Sequence, residues 1–298
     1  MGEFMAQRAR LLGLAYRLLG SAEDAEDAVQ DAFLRWDRVD RGAIAAPSAW
    51  LAKVVTNLCL NRLASAQAKR EVYPGPWLPD PVLTEGGDLG PMETAAQRDS
   101  VSMALLVLLE RLTPAERAVF VLREAFGYRH GEIAELLETS ETNCRQMHRR
   151  ARQRISEQRP RFQPAPGRWR PLVERFLAAA GEGDLPALEQ LLAADVISWA
   201  DGGGKVTAAR RPVVGSGRVA RYITGAIRRF GAGVQGRPAE INGQPGVLGL
   251  ADGALAGVLV LEAGGGTIAS IRIVANPDKL GFAARQAGLS HPAGLPGS

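Results

Sequence analysis

The chain has 298 residues, 46% of them apolar and 23% charged, the proportions of a soluble globular protein long enough for two or three domains. No run reaches the roughly 18–20 consecutive apolar residues of a membrane span. The first apolar patch, Leu11 to Leu19, is broken by Arg17 and lacks a cleavage site, so the sequence predicts neither membrane attachment nor secretion and places the protein in the cytoplasm. The formal net charge of +4 conceals an uneven distribution: residues 1–160 hold 21 basic and 22 acidic groups but 10 of the 34 glycines, and the remainder sums to +5.

Met1–Phe4 precede a second methionine, read as a cloning remnant, and are set aside. The first informative element is "SAEDAEDAVQDAFLRW" (21–36). Ser21 and Asp24 stand at capping-box spacing, and Ala25, Val29, Phe33 and Trp36 mark a buried helical stripe. Asp24, Glu26, Asp27 and Asp31 crowd the same helix, where like charges one turn apart oppose helix formation by a few tenths of a kcal/mol per pair. Such a ridge is either a solvated face or a docking surface for a basic partner.

The next segment, residues 47–71, opens with Pro47 in the first helical turn. Trp50, Val54 and Leu58 predict its apolar face, whereas Lys53, Asn57 and Asn61 form a polar stripe followed by Arg62. Asparagine is a poor helix former, and its amide can bond base edges. On spacing alone a surface helix fits as well as a nucleic-acid contact. "YPGPWLPDP" (73–81) then reads as a stiff linker that carries two aromatics without evident reason.

Residues 112–155 are more specific. Thr113, Pro114 and Glu116 supply a cap, a first-turn proline and a capping-box acid, and Gly127 ends that helix. "HGEIAELLE", a short break and a helix from Glu141 form a helix-turn-helix pattern. Arg145, Gln146, Arg149 and Arg150 lie on one broad face of the last helix, the residue types that contact phosphates and the edges of guanine and adenine. Cys59 and Cys144, in separate helices, read as buried thiols. No metal or other cofactor is expected.

After a second linker at residues 159–168, two helical segments (Phe176, Ala179 and Ala180; Leu188, Leu191 and Leu192) precede strand-like runs "DVISWAD", "VLVLE" and "TIASIRIVA". The last two are joined by a hairpin-length loop, and helices followed by an antiparallel sheet imply an α+β domain. "DGGGK" (201–205) reads as a Gly-rich turn, as an interdomain contact or, through Asp201, as a catalytic acid.

"SAEDAEDAVQDAFLRW", "AWLAKVVTNLCLNRL" and the 112–153 segment, in this order, resemble the two conserved domains of extracytoplasmic-function sigma factors. "GPWLP" (75–79), "DGGGK" and "NPDKL" (276–280) further resemble the subgroup with a C-terminal SnoaL-like domain. The resemblance implies two all-α sigma domains, the second with a helix-turn-helix, followed by an α+β SnoaL-like cone. Their bounds are 5–72 for region 2, 73–92 for a Pro-rich linker, 93–160 for region 4, 161–168 for a linker, 169–280 for the SnoaL-like domain and 281–298 for a tail.

It also implies partners: core RNA polymerase at Asp24, Glu26, Asp27 and Asp31; the −10 non-template strand at Asn57, Asn61 and Arg62; and the −35 duplex at Arg145, Gln146, Arg149 and Arg150. An intramolecular contact of the linker with the C-terminal domain involves Trp77, Pro79, Asp201, Gly203, Lys205, Asn276, Pro277 and Asp278. The alternative for Trp77 is local packing on its own domain. The SnoaL-like pocket leaves room for an unidentified small ligand, although its acid supply is thin for an enzyme. The alternative for the whole chain is a DNA-binding regulator fused to a SnoaL-type enzyme or sensor. The sequence departs from the family at Glu138, where a glycine is usual, and at Cys144, where a β-branched apolar residue is usual.

Overall fold

The computed structural model describes residues 2–90, 95–156, 169–230 and 233–290. Two units emerge, one formed by Met1–Val72 with Gly86–Pro160 and the other by Tyr73–Glu85 with Arg161–Ser298. The 73–92 linker therefore divides at Glu85, its first part belonging to the C-terminal unit. The second linker, 161–168, lies outside the described residues.

The first unit is helical: α1 (Gly2–Leu19), α2 (Ala22–Arg38), α3 (Pro47–Glu71), α4 (Ala95–Asp99), α5 (Met103–Leu109), α6 (Pro114–Glu124), α7 (His130–Leu136) and α8 (Glu141–Ser156). The Ser21 hydroxyl accepts from the Asp24 N–H at 3.3 Å, and Thr113 with Glu116 closes a reciprocal capping box. On α2, Ala25, Val29 and Trp36 are buried. Phe4, set aside with the opening residues, is also buried, its ring 5.1 Å from that of Phe33. The start of α1 thus belongs to the core.

Helix α3 corrects the expected face. Leu51, Val55, Leu58, Cys59 and Leu63 are buried, while Trp50 and Val54 are only half-buried. The helix packs against α1 and α2 and also against α6 and α7, so its burial spans more than one stripe and the simple period is lost. Both cysteines are free and buried, and burial pushes the Cys59 thiol up to about 12.

Two arginines tie the halves of this unit together. Arg17 donates from Nε to Ser100 Oγ at 2.7 Å and from Nη1 to the Gly13 carbonyl at 2.9 Å. Arg117 is fully buried and pairs with Glu110, which also pairs with Arg70. Burial lowers Arg117 to about 9, still well above neutrality, so the guanidinium stays charged against its partner.

In the C-terminal unit, α9 (Arg170–Glu182), α10 (Leu185–Leu191) and α11 (Ser216–Phe230) pack on one six-stranded sheet. Its strands are β1 (Leu192–Asp201), β2 (Val213–Val214), β3 (Gln235–Ile241), β4 (Gln244–Ala251), β5 (Ala254–Gly264) and β6 (Thr267–Val274), in the order β2-β1-β6-β5-β4-β3. The α+β class is as expected. The sheet is mixed and not wholly antiparallel, because β1 and β6 pair in parallel.

Three two-residue hairpins, Asn242-Gly243, Asp252-Gly253 and Gly265-Gly266, take positive φ at both positions, the type I′ geometry that suits strand twist. Residues 281–290 are no tail: α12 (Gly281–Ala287) buries Phe282, Ala283 and Ala284, and Ser290 bridges Ala254.

Glu138, in the turn of the helix-turn-helix, has φ 53°. Its ion pair with Lys53 at 3.0 Å is exposed and contributes little against the strain of a left-handed side-chain-bearing residue. Glu138→Gly should therefore raise the stability of the first unit by about 1 kcal/mol. Urea unfolding followed by far-UV circular dichroism should show a higher midpoint; a lower midpoint would mean that the Lys53 pair outweighs the strain.

Candidate functional site

Three groups of side chains stand out. The first lies on α2 and α3. Asp24 and Asp27 are exposed, whereas Glu26 and Asp31 are half-buried. Arg62 of α3 turns onto this ridge: Nη2 bonds Asp31 Oδ2 at 2.7 Å, Nη1 bonds the Asp24 carbonyl at 3.0 Å, and Asp27 Oδ2 lies 3.7 Å away. The structure thus joins Arg62 to the acidic ridge, although the sequence assigned the two to different partners. Asn61 is exposed and Asn57 half-buried.

The second group is on α8. Cys144, Met147, Ala151 and Ile155 face the core, which leaves Arg145, Gln146, Arg149 and Arg150 exposed on the outer side. Ser140 caps the helix, accepting from the Asn143 N–H at 3.2 Å. Arg145 is paired with Glu141 one turn back, at 2.6 Å. Behind the helix, His148 contacts Glu124 at 2.8 Å and His130 at 3.4 Å.

Partial burial, then the neighbouring His148, Arg123 and Arg145, lower the His130 pKa from 6.5, while Glu141 acts in the opposite sense. The unfolded chain therefore binds this proton more readily than the folded one, and stability falls as pH drops through 6.5. His130→Gln should flatten that loss between pH 7.5 and 5.5 in thermal melts; an unchanged slope would assign it to other groups.

The third group surrounds Asp201 at the end of β1. Its Oδ1 accepts from the Tyr73 hydroxyl at 2.5 Å and from the Gly203 N–H at 3.0 Å. Its Oδ2 accepts from the Leu78 N–H at 2.9 Å and from Lys279 Nζ at 2.7 Å. Lys279 also donates to the Leu78 carbonyl, and its ammonium sits 4.3 Å from the Trp77 ring centre and 4.9 Å from that of Tyr73. Asn276 donates to the Tyr73 oxygen at 2.8 Å and accepts from the Asp278 N–H at 3.1 Å. Burial first, then the bond to Asp201, raises the Tyr73 pKa, so this phenol stays a donor.

Gly203 has φ 62°, and a Cβ there would lie 2.4 Å from the Asn276 side chain, so the close approach requires glycine. Pro79 and Pro277 are buried, and Lys205 pairs with Asp278 at the surface at 2.6 Å.

Beyond Pro81 the connector becomes strand-like. Val82 exchanges two hydrogen bonds with Asn242, at 2.8 and 3.1 Å. Leu83 exchanges two with the Gln286 amide, at 2.8 and 3.0 Å. Thr84 bonds the backbone and carboxylate of Glu240 at 3.1 and 2.7 Å.

Tyr73, Lys279, Asn242 and Gln286 were not among the sequence candidates. Tyr73 and Lys279 lie inside the quoted motifs, and Asn242 carried an Asn-Gly hairpin signal. Gln286, on a helix read as tail, gave none. The other acid of interest, Glu262, is buried with Arg272 and with Ser270 Oγ at 2.6 Å.

Two helical modules, the second a helix-turn-helix with an arginine-rich outer face, followed by an α+β domain, describe a sigma factor with a C-terminal extension. Family models agree: Sigma-70 region 2 matches residues 4–69 and Sigma-70, region 4 matches residues 102–155. The chain belongs to the ECF RNA polymerase sigma factors, which direct promoter-specific transcription initiation. It is 39% identical to the ECF RNA polymerase sigma factor SigJ of Mycobacterium tuberculosis over 94% of this chain and 92% of that protein. It is 36% identical to the probable ECF RNA polymerase sigma factor SigI of the same species over 92% of each chain. The crystal structure of M. tuberculosis SigJ superposes with a TM-score of 0.74, at 34% identity, over 94% of this chain and 98% of that one. Among the described residues no helix is long and apolar enough to cross a membrane.

The Asp201–Lys279 pair is buried on both sides. Removing one partner strands the other charge, which typically costs about 3–5 kcal/mol. Asp201→Asn and Lys279→Met should each destabilise the C-terminal unit by about that amount, and the double variant should lose less than the two together. Urea titrations of the four proteins check this; additive losses would mean that the pair is not coupled.

Proposed function

We propose that this sigma factor initiates transcription through three surfaces whose spacing its C-terminal domain controls in cis. Asp24, Glu26, Asp27 and Asp31 meet a basic surface of core RNA polymerase, because an otherwise unfavourable acidic ridge gains from such a partner. Asn57, Asn61 and Arg62 hold the unpaired −10 non-template strand. Arg145, Gln146, Arg149 and Arg150 read the −35 element as duplex. The Arg62–Asp31 bond links the first two surfaces, so polymerase engagement of the ridge competes for the side chain that contacts DNA.

The observation that carries the regulatory part is the folding of Tyr73–Glu85 as part of the C-terminal unit. A connector held by Asp201, Lys279 and Asn242 has few conformations left with which to absorb a displacement. The domain thereby fixes how much free chain separates region 2 from region 4. An enzymatic role for the extension is not favoured: Asp201 and Glu262 are both held by cationic and hydroxyl partners and are poorly placed to exchange a proton with a substrate.

Purified protein with core polymerase should start transcripts at defined sites. Trp77→Ala and Lys279→Met should change that promoter-dependent transcription in the same direction, with a double variant that is less than additive. Additive effects would leave the connector a simple spacer.

A further inference from the structure

Helix α11 (Ser216–Phe230) contains no acidic residue and carries Arg218, Arg221, Arg228 and Arg229, all exposed. At 100° per residue these four fall within an arc of about 100°, with Gly225 in its middle, and the row from Arg218 to Arg229 is about 16 Å long. Val219, Ala220 and Ile223, on the opposite side, are buried in the core of the C-terminal unit, and Tyr222 and Ile227 pack against it.

Some exposed arginines elsewhere in the chain pair with a carboxylate within a turn, as in Arg41–Asp37, Arg129–Glu132 and Arg145–Glu141, whereas Arg149 and Arg150 on the outer face of α8 form no ion pair among the described residues, like those of α11. Among the described residues none of the four on α11 forms an ion pair. Glu189 of α10 comes near the first turn: the position of a Cβ on Gly217 is 3.1 Å from Glu189 Oε1 and 3.6 Å from Arg221 Nη1. Gly225 is exposed and has no atom within 4 Å of its missing Cβ, so the middle of this arc is open. A glycine there weakens the helix and does nothing for packing.

We infer that this face of α11 contacts the phosphate backbone of DNA, adding a sequence-independent contact to those of the two sigma modules. A row of unpaired guanidiniums about 16 Å long matches several successive phosphates of one strand. The function of the chain brings it onto promoter DNA, a polyanion. A lipid surface fits less well, because an interfacial helix must insert its apolar face, and here that face is already buried in the domain core.

The test uses the full-length protein assembled with core polymerase and a fluorescent promoter duplex, titrated from 50 to 250 mM KCl. Replacing Arg221, Arg228 and Arg229 together with Ala should weaken binding about tenfold at 100 mM salt, by the same factor on promoter and unrelated duplex. It should also reduce the slope of log K against log[salt] by about two to three. The Lys triple variant should restore most of both, since a phosphate accepts either cation. An unchanged slope and affinity, or no rescue by Lys, would overturn the proposal. So would loss of holoenzyme assembly with an unaltered salt slope, which would assign the face to the polymerase. Wild-type sedimentation with phosphatidylglycerol vesicles that the Ala variant loses, with DNA binding intact, would assign it to membranes.

Discussion

The buried ion pair between Asp201 and Lys279 is the interaction on which the C-terminal half of the molecule turns. A carboxylate and an ammonium taken out of water are costly unless every lone pair and proton finds a partner. Here the missing partners come from the connector: the Tyr73 hydroxyl, the Leu78 N–H and carbonyl, and the faces of Tyr73 and Trp77. The pair and the connector therefore stabilise each other. If Tyr73–Leu78 peeled away, both charges would lose bonds at once, so the grip is cooperative and not a sum of weak contacts.

That grip explains the composition of the connector. Four prolines in nine residues reduce the entropy lost on docking, and the tethered geometry lets a modest contact area suffice. Past Pro81 the chain is zipped to β3 and α12 by backbone and amide bonds, much as an extra strand would be. The first unit uses buried charge differently. Arg17, through Ser100, and Arg117, through the Arg17 carbonyl, join the two sigma modules, while α2 and α8 carry exposed charge.

The sequence was most informative where local rules suffice. Ser21, Thr113 and Glu116 marked helix starts by their capping chemistry, and the arginines of α8 were legible because Cys144, Met147, Ala151 and Ile155 define the opposite face so cleanly. Helix α3 misled because it packs on several sides, which erases the single stripe that periodicity detects. Lys279 and Tyr73 were hidden for another reason: a lysine and a tyrosine become functional only when folding brings a strand end, a turn and a connector together across some two hundred residues. Asn242-Gly243 and Asp252-Gly253 carry hairpin signals in the sequence, but local signals of this kind do not show that the edge strand beside them receives the connector. Phe4 shows that an apolar residue near a terminus can belong to the core.

Hydrogen–deuterium exchange on the intact protein tests the central claim most directly, because it reads the connector backbone itself. If residues 73–85 are part of the C-terminal fold, the amides of Leu78, Val82, Leu83 and Thr84 exchange as slowly as those at the ends of β3 and β4. Exchange of these four at the rate of an unprotected Pro-rich linker, with the sheet still protected, would contradict the account.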